Sequence, residues 1–395
     1  MAPASPNPLA VTAQAYAAAS AASGLPGGRE ALNRYARFYR LGPAGADPLT
    51  AAWGPAAVHR RLVSDSAEGH VVKFTQLVPR RLGVESPSEG SAVRLAVNGG
   101  GSDRVETESV LIPMVGRTRG RCYTLCVSSQ VGCAMGCGFC QTAQMGLLRS
   151  LTVEEIVGQW YAARHLIDRP DPEAEITNVV FMGMGEPMDN LEAVVGAIEV
   201  LTDSRGPAMA MSRITVSTVG RLDGIRALGQ HVHRPGWHRL ALAVSLNAPT
   251  DEIRTGLMPV NRAMPLARLR EALAEWPIYG GSHQCIEYVL IPGVNDRPEH
   301  ADAVASFVLG AEHRPAGNEP RYDGPRLTAM VNVIPYNPRD GSPWPAPDEG
   351  SVDAFMERLK GHGVYVKRRR TKGRDTMAAC GQLGNPALRR RPARV

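Results

Sequence analysis

The sequence predicts an α/β protein whose main body is a parallel (β/α)6 partial barrel, TIM-like but open, behind a small N-terminal accessory region. Three observations predict it. From Tyr123 onward, six short apolar segments rich in β-branched residues alternate with helical patterns, as buried parallel strands and their crossovers do. No internal repeat competes with that rhythm. Three cysteines, Cys133, Cys137 and Cys140, fall just past the first strand, and barrels of this kind gather catalytic groups at the C-terminal ends of their strands.

Residues 1–28 are rich in Ala, Pro and Ser and read as a flexible arm with at most a short helix over Thr12–Ser20. Residues 29–105 form the accessory region. Its GREALNRYARFYRL stretch has helical spacing, and VVKFTQLV alternates like a strand. Val93–Val97 and Glu106–Pro113 flank a Gly-rich turn and read as a β-hairpin leading into the core, residues 106–383. The core strands are expected at Tyr123–Ser128, Ile176–Met182, Ile214–Ser217, Leu240–Ser245, Ile286–Ile291 and Met330–Ile334. Between them lie helical patterns at Thr152–His165, Leu191–Leu201, Leu222–Leu228, Pro265–Ala274 and Glu299–Leu309, with a last helix at Ser351–Lys360. Thr152 and Glu155 have the spacing of a capping box. Residues 384–395 are a basic tail.

The chain has 395 residues, 44% of them hydrophobic and 21% charged, and no apolar run of membrane-spanning length. The first charged residue is Arg29, so neither a secretory signal nor an Arg-rich transit peptide is expected, and a cytoplasmic location follows. There, seven cysteines read as metal or redox chemistry more readily than as disulfides. The net charge of +6 is concentrated late, in Lys367–Arg370, Lys372, Arg374 and Arg389–Arg391. On charge alone, phosphate binding and merely solvated basic ends are equal readings.

Three thiolates in a CxxxCxxC frame can close around one face of a metal centre. A structural zinc site needs four ligands, and a four-cysteine ferredoxin cluster would lack its last one here. A [4Fe-4S] cluster with one iron left open fits; a broken zinc knuckle or a thiol group awaiting a partner chain is the bland alternative. The motif, with Phe139 before its last cysteine, resembles that of the radical S-adenosylmethionine (SAM) enzymes. The second strand runs into GMGEP, where Glu186 offers a carboxylate to an ammonium group. After such a first strand, it resembles the GGEP-type motif with which those enzymes hold the amino group of SAM.

Cys126 and Cys380 would each read singly as a buried small hydrophobe. Together with LCVSSQVGCAMGCGFCQTAQMG, FMGMGEPMDN, RITVSTVG, VSLNAPTDEIR, IEYVLIPGVND, VNVIPYNP and AACGQL, they resemble the radical SAM rRNA adenine methyltransferases, the RlmN/Cfr family, from about Glu106 to Leu383. The N-terminal region does not show that family's usual accessory-domain pattern.

The resemblance implies a two-stage reaction that uses two SAM molecules per turnover. The first methylates Cys380. The second binds the open iron of the cluster held by Cys133, Cys137 and Cys140, and its reductive cleavage gives a radical that takes a hydrogen atom from the S-methyl group. The resulting methylene radical adds to an adenine, and Cys126 resolves the adduct through a transient disulfide with Cys380. Glu108 aligns with the proton acceptor. Gly185, Glu186, Ser217, Ser245 and Asn337 fall at the SAM-pocket positions, and Asn247 stands where the family more often has His. The implied substrate is 23S rRNA, with tRNA a second target, and the implied electron donor is a flavodoxin or ferredoxin. A monomer away from membranes is expected. GMGEP favours methylation at adenine C2 over the C8 branch. The competing readings are a non-catalytic RNA-binding protein with a structural metal and a radical SAM enzyme of different substrate.

Overall fold

The computed structural model describes residues 5–80, 103–115, 120–280, 282–312, 320–339 and 341–385. Among the described residues, twelve strands appear in chain order: β1 (Val58–Ser66), β2 (Gly69–Pro79), β3 (Arg104–Val115), β4 (Arg121–Cys126), β5 (Gln130–Val131), β6 (Arg149–Ser150), β7 (Glu175–Phe181), β8 (Ile214–Thr218), β9 (Ala241–Ser245), β10 (Gln284–Leu290), β11 (Ala329–Pro335) and β12 (Val366–Arg368). Ten of them make one sheet, in the order β1-β2-β3-β4-β7-β8-β9-β10-β11-β12. The strands from β4 to β12 pair in parallel, while β1 to β4 are antiparallel to one another. β5 and β6 form a separate ribbon.

The parallel strands form where β-branched and apolar residues crowd together. Val179, Ile214, Val216, Val244, Ile286, Val331 and Val333 are all fully buried. Helices Val153–His165, Leu191–Thr202, Leu222–Val232, Leu266–Ala274, Pro298–Leu309 and Glu349–Gly361 supply the crossovers and the final outer layer. One half of the capping box is plain: Glu155 Oε2 accepts from Thr152 N at 3.0 Å at the start of Val153–His165. Strand neighbours in space are neighbours in sequence from β7 to β12, and the sheet stays open. This is the expected partial barrel, with one addition. β12 is a seventh parallel strand where only a basic run was expected.

The N-terminal residues differ from the flexible arm expected of them. Helix Ala13–Ala22 buries Tyr16, and Leu9 is buried too. Tyr35 and Tyr39, on helix Gly28–Leu41, donate hydrogen bonds to the carbonyls of Val11 (3.0 Å) and Pro8 (2.9 Å). Phe38 stacks on Tyr161 of the first crossover helix with ring centroids 4.7 Å apart. An Ala-rich stretch looks featureless until aromatic residues twenty positions away cover it. The expected hairpin is also altered. Val93–Val97 lies outside the described residues, and the strand holding Glu106–Pro113 pairs with β2 on one side and β4 on the other. The accessory strands therefore continue the core sheet. The tail beyond residue 385 lies outside the described residues. Among the described residues no helix is long and apolar enough to cross a membrane.

Candidate active site

The C-terminal ends of β4, β7, β8, β9, β10, β11 and β12 surround one cavity with about 940 Å3 of empty volume, part of it open to solvent. Its walls hold Cys133, Cys137 and Cys140 after β4, Gly185 and Glu186 after β7, Ser217 on β8, Ser245 on β9 and Asn337 after β11. Cys380, from the far end of the chain, lies in the same wall. Cys126 and Glu108 are not in the lining.

The loop after β4 is held by backbone geometry. Gly132 and Gly136 take positive φ angles of 77° and 71°, and Cys133 N donates to Gly146 O at 3.1 Å. Burial pushes the Cys133 thiol up to about 12 and raises Cys137 and Cys140 as well, while the Cys133 and Cys140 charges add to the effect at Cys137. Metal ligation would remove these protons, since the thiolate is the ligand. Among the described residues, no three His, Cys, Asp or Glu side chains are grouped so as to hold a single metal ion. Three soft thiol donors on the wall of one cavity fit a [4Fe-4S] cluster, which Cys133, Cys137 and Cys140 would hold.

The GMGEP turn packs against the cluster loop. A Cβ on Gly183 would stand 2.7 Å from Ser128 Oγ and Val127 O, and one on Gly185 (φ 103°) would stand 2.6 Å from the Gln130 side chain. The glycines are thus required by the protein's own backbone as much as by any ligand. Glu186 is buried; its Oε1 accepts from Met188 N (3.1 Å) and its Oε2 from Val219 N (2.9 Å). Burial outweighs these bonds and pushes its carboxyl up to about 7. Such a group favours a cation as its ligand.

Asn247, already noted in the sequence, and Arg254, not singled out there, support the cavity wall. Arg254 is fully buried beneath the strand ends, donating to Leu246 O (3.0 Å), Ser245 O (3.1 Å), Val219 O (2.5 Å) and Asn261 Oδ1 (2.8 Å), and its pKa falls to about 10 through burial. Asn247 sits at φ 55°, a conformation Asn tolerates, and its Oδ1 accepts from Val289 N at 2.9 Å. Its side chain therefore serves the loop's own backbone.

Arg369 also departs from expectation. It turns inward, with Nη1 donating to Met182 Sδ (3.3 Å) and lying 3.9 Å from Glu287 Oε2. The charge of Cys380, opposed by burial, raises its pKa. The other basic residues near it are engaged within the molecule: Arg368 with Glu349, Arg370 with Glu68, and Lys372 with Glu68 and Pro113 O. The basic run is therefore tied into the fold rather than merely solvated. The alternation of β12 aims its neighbours in opposite directions, which a count of positive charges cannot show. A second cavity, sharing Met182, Glu287 and Arg369 with the first, is lined by Arg239, Lys367, Arg370 and Lys372.

Cys126 ends β4, and its thiol is pushed up to about 12, by burial first and then by the charge of Cys380. All seven cysteines are free thiols. Cys285 donates to Glu287 Oε1 (3.2 Å), and Cys122 lies 3.7 Å from Met114 O. The loop carrying Cys380 is fastened on two sides. Gly381 O accepts from Gln141 N (2.7 Å) and Leu383 O from Thr142 Oγ1 (2.6 Å), both beside the cluster loop. On the other side Ser64 bonds Thr376 (3.2 Å), and Glu108 Oε2 accepts from Gly384 N at 3.0 Å.

Known proteins match this arrangement. The Radical SAM superfamily model covers residues 127–304. A probable dual-specificity RNA methyltransferase RlmN 1 from Protochlamydia amoebophila is 42% identical over 290 residues, which span 73% of this chain and 72% of that protein. The dual-specificity RNA methyltransferase RlmN of Stenotrophomonas maltophilia is 36% identical over 347 residues, 84% of this chain and 81% of its own. The crystal structure of a radical SAM methyltransferase from Sphaerobacter thermophilus superposes with a TM-score of 0.73 at 30% identity, covering 95% of this chain and 98% of that one.

Proposed function

The chain belongs to the RlmN family of radical SAM RNA methyltransferases, and from this premise we propose that it methylates C2 of an adenine through an S-methyl group carried on Cys380. The observation that carries the reading is the single cavity shared by the three cluster thiols, the Glu186 turn and Cys380. Cys133, Cys137 and Cys140 hold the cluster, and with SAM it supplies a 5′-deoxyadenosyl radical when a one-electron donor such as a flavodoxin or ferredoxin reduces it.

Glu186 receives the SAM ammonium group, while Ser217, Ser245, Asn337 and the Gly185 backbone line the rest of its pocket. Cys380 would first take a methyl group by displacement from one SAM molecule, then give a hydrogen atom from that group to the radical drawn from a second; its carbon would bond to the adenine, and the one electron left over on the ring would return to the cluster that supplied one at the start. Cys126 would then attack the Cys380 sulfur; the carbon–sulfur bond breaks as a disulfide forms, its electron pair going to the adenine-bound carbon, which takes a proton to become the methyl group, and thiols reset the disulfide. Glu108 takes the proton lost from the adenine after giving up its present partners. Asn247 and Arg369 complete the wall.

The substrate is 23S rRNA with tRNA as a second target, a reading in keeping with the dual-specificity names of the relatives. The basic second cavity next to the first suits the phosphates of an RNA whose base is unstacked into the site. The RlmN names among the relatives favour C2 over C8. A cytoplasmic, monomeric enzyme is the accompanying reading. Mass spectrometry of rRNA and tRNA fragments from cells with and without the gene tests it: one added methyl group at adenine C2 is expected. A methyl group at neither C2 nor C8 overturns it.

A further inference from the structure

We propose that Lys73 is a positioning residue which, with Glu108, brackets the Cys380 loop by its two ends and couples radical formation to methyl transfer. This rests on the function just given. Lys73 on β2 and Glu108 on β3 share one face of the antiparallel extension, where Thr75 is the direct partner of Glu108 and Lys73 is its diagonal neighbour. Their side chains, 8% and 6% exposed, meet at 2.8 Å.

Each then reaches one side of Cys380. Lys73 Nζ donates to Met377 O (3.1 Å), three residues before the cysteine, and Glu108 Oε2 accepts from Gly384 N (3.0 Å), four residues after it. Met377 is held at φ 51°, a conformation that L-residues avoid, and its carbonyl is the one Lys73 fixes. A buried ion pair contributes little to net stability compared with an apolar pair of the same volume, so what it supplies here is geometry. The bracket also reaches the SAM side of the cavity. Ser128 Oγ donates to Glu108 O (2.6 Å) and accepts from Met184 N (2.8 Å) in the GMGEP turn.

The test uses the reconstituted enzyme and two readouts. The first is the ratio of 5′-deoxyadenosine formed to RNA methylated. In Lys73→Met this ratio is expected to rise about fivefold or more, matching roughly 1 kcal/mol of lost loop positioning, with Lys73→Arg restoring part of it. A merely structural role would lower both products together and leave the ratio unchanged, overturning the proposal. The second readout, amide hydrogen exchange, needs neither RNA nor SAM. Exchange over 376–384 should quicken about fivefold while β4 and β7 keep their protection. Equal change throughout, or none, overturns the bracket even if the wild type methylates no RNA. Should Lys73→Met fail to fold, Lys73→Arg carries both measurements, with smaller shifts in the same direction expected.

Discussion

Two loops carry sulfur to the cavity, and they are held in opposite ways. The cluster loop is short, follows its strand directly and gathers three thiols within eight residues of sequence. Its fixings are mostly glycine turns, a hydrogen bond to Gly146 O and the neighbouring GMGEP turn. The Cys380 loop contains no helix or strand of the described set and is fastened from afar: Lys73 lies 304 residues from Met377, Glu108 276 from Gly384 and Ser64 312 from Thr376. A metal cage asks for fixed donors. On the proposed reading, a sulfur that meets a methyl donor, a nucleobase and then Cys126 asks for a loop that can be placed and released.

The largest effects should separate the two loops outright. Cys137→Ala is expected to remove the cluster, dropping iron from about four per chain toward zero and with it all SAM cleavage; iron and sulfide analysis under anaerobic conditions reads this. Cys380→Ala is expected to keep the iron and lose RNA methylation completely. If product still formed in Cys380→Ala, the loops would not differ in the way described.

A smaller effect probes the seam between the cluster loop and its neighbour turn. Gly183→Ala puts a methyl group 2.7 Å from Val127 O, backbone that cannot swing aside. It is expected to lower unfolding free energy by about 1–3 kcal/mol, read by denaturant titration.

The pH dependence sharpens the comparison further, because Glu186 belongs to the cluster side. Its carboxyl is raised to about 7 by burial in the ligand-free protein. The folded state therefore holds that proton more tightly than the unfolded chain. The stability it contributes is lost as pH rises from the ordinary carboxylate range to about 7, and is level above. An ammonium ligand needs the carboxylate, so SAM affinity should fall about tenfold per pH unit below about 7. Calorimetry of wild type beside Glu186→Gln measures it, and an equal slope in both would remove Glu186 from the ammonium site.

The smallest effect lies on the other loop. Ser64→Ala removes one half-buried bond to Thr376 and should cost under about 1 kcal/mol, with hydrogen exchange quickened only near Thr376.

What could be read in the sequence divides along the same line. β7 to β11 and their helices declared themselves because buried parallel strands must be β-branched runs, and the cysteine triplet because its ligands are close in sequence. β12 was hidden because three residues in a basic run carry no apolar rhythm, and with it the inward turn of Arg369. Arg254 stood inside a recognised motif, but its burial follows from five backbone and side-chain oxygens brought together only by the fold. The seat of the Cys380 loop on β1–β3 was invisible for a simpler reason. Contacts between residues some three hundred positions apart leave no local pattern.

The placement of these contacts has a consequence for how the enzyme is made. Cys140 leaves the ribosome 240 residues ahead of Cys380. At about 5–20 residues per second, that is a lag of roughly 10–50 seconds. For that interval the nascent chain carries the three thiols proposed to hold iron, but not the sulfur proposed to receive the methyl group. Translation halted between Asn337 and Cys380 would release the three thiols and the proposed SAM-pocket residues without the acceptor sulfur.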